Sequence, residues 1–222
     1  MTLTTLELQN GPQPQASLII LHGLGADGED FIPVCRALQL PDVGDLRFVL
    51  PSAPEMPVSV NGGYVMRAWY DIRPPGQLPR EDEAGLRLAQ TWIDELIERE
   101  IDRGIPAHRI VLMGFSQGCA MALMTGLRCR HRLGALVGLS GYLPLLETTA
   151  TERHPTNQST PIFLAHGDQD DVVPMARGIQ SRNHLLSLGY PVTWQDYPID
   201  HTLCLEEVDD LSRWLNQHLA SI

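Results

Sequence analysis

Ser116 stands in Gly114-Phe115-Ser116-Gln117-Gly118, the pattern G-x-S-x-G, between an apolar run at 110–113 and another at 119–123. A strand that enters a helix through one tight turn forces the serine into strained backbone and lifts its Oγ above the sheet. Small residues two before and two after let the neighbouring backbones approach. The new helix then aims free N–H groups at developing negative charge. A serine hydroxyl is a poor nucleophile without a base, and the base needs an orienting carboxylate. Of eight histidines, His201 stands out, because it follows the strand pattern VTWQDYP and precedes the last helix. Acid candidates Asp168, Asp170 and Asp171 all follow the apolar run at 162–165, in IFLAHGDQDDVVP. The chemistry this set would perform is acyl transfer through a serine ester.

Competing residues have plainer roles. Ser140 also follows a strand, but Leu139-Ser140-Gly141 lacks the paired glycines. His22 and His166 each end a strand before a glycine, so both are expected to hydrogen-bond within a turn. His184 and His218 fall in helical patterns and His108, His131 and His154 in polar connections, which makes surface positions the expectation for all five.

LHGLGADGED, residues 21–30, places Gly23, Gly25 and Gly28 at the spacing of a dinucleotide-binding turn. That site needs an acid at the end of the second strand to hold a ribose. Here the strand RFVLPSAP ends in Pro-Ser-Ala, and Asp42 and Asp45 precede it. A glycine-flanked N–H beside a nucleophile suits acyl transfer instead. His22-Gly23-Leu24-Gly25 is similar to an HG-type oxyanion loop supplying one donor, with Gln117 after the nucleophile supplying the other.

The elements that must position these groups alternate. Strands are expected at 18–21, 47–50, 110–113, 135–139, 162–165 and 192–197. A helix over 81–104 puts Leu86, Ala89, Ile93, Leu96, Ile97 and Ile101 on one face; another starts after Ser116, and a third carries Leu205, Val208, Leu211, Leu215 and Leu219. Such alternation predicts right-handed crossovers and a mostly parallel sheet covered on both faces. Without repeat or linker, residues 1–222 read as a single domain. The Pro/Gly-rich stretch 51–79, with NGGYVMRAWYDI inside it, reads as an excursion over the site.

A net charge of −11 argues against nucleic acid and anionic membrane surfaces. Cys35, Cys119, Cys129 and Cys204 show no metal spacing, and four dispersed thiols suit a reducing cytoplasm. The first residues, MTLTTLELQNGPQPQ, lack the pattern of a secretory signal, and no run is long enough for a membrane span.

LHGLGADGEDF, FVLPSAP, NGGY…AWYDI, GFSQGCAMAL and HGDQDDVVP together resemble the carboxylesterase/phospholipase family of α/β-hydrolases, which includes acyl-protein thioesterases and small bacterial carboxylesterases. The order Ser116, Asp, His201 is the order of that fold. The resemblance runs from about residue 15 to the C-terminus, in register. It implies an α/β-hydrolase fold with a minimal cap, Asp170 as the triad acid, and Leu24 and Gln117 as oxyanion-hole donors. It implies an acyl channel in which Met66, Trp69 and Leu78 are the apolar candidates, no metal or organic cofactor, and a homodimer. The first reading is a serine carboxylesterase acting on small esters or thioesters; thioesterase action on acylated proteins, lysophospholipase action and a non-catalytic binding module follow it. Two departures stand out: Cys119 where the family has a second glycine, and Asp200 where a glycine precedes the histidine. Asp200 is expected to put a second carboxylate near His201 and raise its pKa.

Overall fold

The structure is a computed structural model and describes residues 3–78 and 81–219. Pro79, at the end of the expected excursion, and the chain termini lie outside the described residues. In chain order the strands are β1 (Thr4–Gln9), β2 (Ala16–Leu21), β3 (Leu46–Ser52), β4 (Glu55–Val58), β5 (Tyr64–Arg67), β6 (Ile110–Phe115), β7 (Ala135–Leu139), β8 (Ile162–Gly167) and β9 (Val192–Tyr197). The helices are α1 (Ile32–Ala37), α2 (Glu83–Asp102), α3 (Gln117–Arg128), α4 (Leu146–Glu152), α5 (Met175–Ser187) and α6 (Leu205–Leu219).

Seven strands form the central sheet in the order β1-β3-β2-β6-β7-β8-β9, parallel throughout except for β1, which runs antiparallel along β3. Side chains that alternate along a strand go to opposite faces. Ile19 and Leu21 of β2 accordingly join one core layer, with Ile93 and Ile97 of α2 and Leu123 of α3. Leu18 and Ile20 join the other, with Cys35 of α1 and Leu211 and Leu215 of α6. Each such side chain, fully buried, contributes about 1.5–3 kcal/mol. This is the α/β-hydrolase fold. No helix among the described residues is long and apolar enough to cross a membrane.

The six expected strands all form, and β3, β6 and β8 extend further at their C-terminal ends. β1 has no counterpart in the sequence reading. Its side chains are at most half-buried, and its pairs Leu6↔Leu50 and Leu8↔Phe48 draw their apolar character from the partner. The excursion after β3 is not irregular throughout, since β4 and β5 pair into a hairpin through the left-handed Gly62, φ 66°.

Glu207, in the first turn of α6, is carried into the second core layer. It is 1% exposed, and its Oε1 has no hydrogen-bond partner among the described residues. Burial pushes its carboxyl up to about 8. The folded state therefore keeps a proton that the unfolded chain releases, and stability falls as pH rises from 4.5 to about 8. Glu207→Gln keeps the shape without the charge. It is expected to raise Tm by about 4–8 °C at pH 8 and far less at pH 5. Calorimetry at both pH values checks this; equal gains would contradict it.

Candidate active site

Ser116, Asp170 and His201 follow β6, β8 and β9, and Leu24 follows β2. These strands are parallel, so their C-terminal ends open on one edge of the sheet, the edge where ligands bind in such folds. Sequence positions up to 177 residues apart are thereby gathered.

The turn between β6 and α3 holds Ser116 at φ 56°, ψ −117°, a costly conformation for a residue with a side chain. Two glycines make the turn sterically feasible. A Cβ on Gly114 would lie 2.0 Å from the Gly118 carbonyl oxygen, and one on Gly118 would lie 2.0 Å from that of Leu21. Cys119 stands where the family that the sequence resembles usually has a second glycine, and it packs, fully buried, against Gly138 and Gly141. Burial pushes its thiol up to about 12, so it is no rival nucleophile.

His201 Nε2 lies 2.8 Å from Ser116 Oγ, and its Nδ1 lies 2.7 Å from Asp170 Oδ2. A carboxylate only accepts, so Nδ1 is the donor and Nε2 is left to accept from the serine hydroxyl. Asp170 Oδ1 accepts the N–H groups of Val172 and Val173, which fixes the carboxylate in a fully buried position. Asp168 and Asp171 are exposed. Phe115 packs on the histidine ring at 4.9 Å between centroids. A Cβ on Gly167 would meet the Ile199 and Asp200 carbonyls, so that glycine lets the histidine loop close over β8. Asp200 is exposed, and its carboxylate makes no hydrogen bond or ion pair with His201 among the described residues. The expected second carboxylate on the imidazole is not formed as a contact.

His166 and His22 have the turn roles expected of them. His166 Nε2 donates to the Val173 carbonyl at 2.8 Å and braces the turn that presents Asp170. His22 Nδ1 donates to the Gly23 carbonyl at 2.7 Å while Nε2 accepts the Ala53 N–H at 2.9 Å. Burial lowers both pKa values.

The residues expected to line the acyl channel are placed otherwise. Trp69 is 1% exposed and packs beneath the His22 loop, its indole N–H donating to the His22 carbonyl at 2.9 Å. Met66 sits half-buried on β5, its sulfur beside Gly25 and within 3.5 Å of Asn61 Nδ2. Leu78 is 86% exposed, in a groove that adjoins the catalytic cavity. The cavity above Ser116, about 710 Å³, is walled instead by Phe31, Val34, Val60, Tyr70, Ile72 and Leu203. An apolar wall needs only exposure on the right face, and aromatics in an irregular segment do not reveal which face that is.

Sequence reasoning missed the side chain of Gln117. Its Oε1 accepts the Trp69 N–H at 2.8 Å and its Nε2 donates to the Tyr70 carbonyl at 2.7 Å. This amide ties the serine turn to the segment under the His22 loop. A buried polar residue at that position was the available signal.

The phospholipase/carboxylesterase family model matches residues 5–219. The chain belongs to that family. It is 41% identical to an acyl-protein thioesterase 1 of Gibberella zeae, over 93% of this chain and 92% of that one. With the acyl-protein thioesterase 1 of Yarrowia lipolytica it shares 38% identity, over 92% of each. Among solved structures, acyl-protein thioesterase 2 of Zea mays superposes with a TM-score of 0.87 at 28% identity, covering 98% of this chain and 99% of that one. The family and its serine hydrolase geometry make this chain a carboxylic ester hydrolase.

Proposed function

We propose that this protein is a serine thioesterase that removes acyl groups from S-acylated proteins. Relatives called acyl-protein thioesterases, similar over more than nine-tenths of both chains, carry this reading. They put it ahead of the small-molecule carboxylesterase that the sequence alone ranked first. Two structural features support it. The cavity above Ser116 is mainly apolar, as an acyl chain requires, and it continues past Tyr70 and Tyr142 into a second groove with room for a bulky leaving group.

The mechanism follows from the hydrogen bonds around Ser116. His201 Nε2 takes the serine proton as Oγ attacks the thioester carbonyl, and Asp170 holds the resulting imidazolium through Nδ1. The oxyanion sits between the N–H groups of Leu24 and Gln117. Gln117 opens α3, so its N–H has no partner within the helix. The C–S bond breaks, His201 returns the proton to the departing thiolate, and the acyl group remains on Ser116. A water then loses its proton to His201 and attacks the acyl-enzyme, and His201 returns the proton to Ser116 Oγ as the acid leaves.

An S-palmitoylated peptide and its oxygen-ester counterpart test the reading. The thioester is expected to turn over with kcat/KM of about 10⁴ M⁻¹s⁻¹ or more, in the ordinary range of enzymes. Turnover of small oxygen esters with no release from the S-acyl peptide would return the carboxylesterase to first place.

A further inference from the structure

Arg177, in the first turn of α5, lines both the catalytic cavity and the adjoining groove of about 530 Å³. Its guanidinium carbon lies 3.3 Å from the centre of the Tyr142 ring, and the Tyr142 hydroxyl is held by that of Tyr70 at 2.9 Å. Among the described residues the guanidinium has no hydrogen bond and no carboxylate partner.

The other charged groups on these walls are occupied, among the described residues. Asp30 accepts the Asp27 N–H, Asp71 accepts from the N–H and Oγ of Ser59, and Glu81 accepts the Leu145 N–H. Arg73 pairs with Asp82 at 3.6 Å, and His201 is bound to Asp170 and Ser116. Among the described residues on these walls, Arg177 is the cation left facing the space that substrate must occupy, in a chain of net charge −11.

Its position costs the helix something. A cation in a first turn opposes the macrodipole, and the helix end adds its own partial positive charge to the guanidinium. Stacking on Tyr142 engages only the face of the guanidinium. The in-plane N–H groups keep the fork geometry that matches a carboxylate.

We propose that Arg177 binds a carboxylate carried by the substrate, at the junction of cavity and groove, and makes the enzyme selective for anionic acyl thioesters. This rests on the thioesterase reading of Ser116. The carboxylate has two sources, the far end of the acyl chain or the thiol side of the leaving group.

Three thioesters of equal acyl length separate them: octanoyl-N-acetylcysteamine, which is neutral; suberyl-N-acetylcysteamine, acidic at the acyl end; and octanoyl-N-acetylcysteine, acidic on the thiol. The quantity read is kcat/KM for each acidic substrate over the neutral one. Arg177→Gln is expected to lower one of these ratios by about 10- to 100-fold, mainly through KM. Arg177→Lys, which keeps charge but not the fork, is expected to fall between. The ratio that moves identifies the source, and added salt is expected to lower it in the native enzyme. Ratios unchanged in Arg177→Gln would overturn the proposal.

Should the native enzyme leave all three thioesters intact, the thioesterase reading fails and binding decides Arg177 separately. Calorimetry then compares octanoate with neutral octanamide on Ser116→Ala. Tighter binding of octanoate that Arg177→Gln removes supports the carboxylate site; equal binding overturns it.

Discussion

Ser116→Ala is expected to lower kcat/KM by about 10⁵-fold or more, with the fold and Tm nearly unchanged. Without the Oγ there is no acyl-enzyme, and His201 at 2.8 Å has nothing to deprotonate. His201→Ala is expected to cost about as much, because the three groups act as a unit. Asp170→Asn is expected to cost about 10⁴-fold, chiefly by reversing the donor at Nδ1, since the amide presents an N–H to a ring nitrogen that must itself donate. Residual rates are then expected from the proposed oxyanion donors and from binding alone. Double variants combining Ser116→Ala with His201→Ala should be little worse than either single one. Additive losses would mean that the two side chains act in separate steps.

Gly118→Ala has the largest expected effect on stability and removes activity by a different route. A Cβ there would lie 2.0 Å from the Leu21 carbonyl oxygen and 2.7 Å from that of His22. Both are backbone atoms in a buried strand end, so no side chain can swing aside. The start of α3 must retreat from β2, taking Ser116 and the Gln117 N–H with it. A loss of about 3–5 kcal/mol is expected, the range of severe overpacking. Any folded fraction should show kcat/KM reduced by about 100-fold or more, as a misplacement of about 1 Å does. Thermal unfolding and activity per folded molecule check the two parts. A variant with native Tm and native turnover would show that the close approach at Gly118 carries no weight.

Parallel strands buried on both faces write themselves into sequence as short apolar runs, which is why β2, β6 and β8 were legible and the serine turn with them. Edge strand β1 was not, because Leu6 and Leu8 are only partly covered and their partners lie in β3. Helices α1 and α4, of 6 and 7 residues, are too short to display a period. Asp168, Asp170 and Asp171 could not be separated by residue type or spacing. Burial and two backbone donors distinguish Asp170, and both depend on the conformation of the turn itself. The family resemblance makes Trp69 an apolar candidate for the channel wall. Its indole instead reports a hydrogen bond to a residue 47 positions away, which no local pattern carries. Gln117 belongs to the same class: the motif points to its backbone N–H, while the hydrogen bonds of its side chain to residues 69 and 70 are visible only in the packed structure.

The central claim is an acyl-enzyme on Ser116. Rapid acid quench during turnover of a palmitoyl thioester, followed by intact mass and peptide mapping, tests it most directly. The account predicts a mass increase of one palmitoyl group, mapped to Ser116 and absent in Ser116→Ala. Palmitoyl on another residue during productive turnover, or the same turnover in Ser116→Ala, would contradict it.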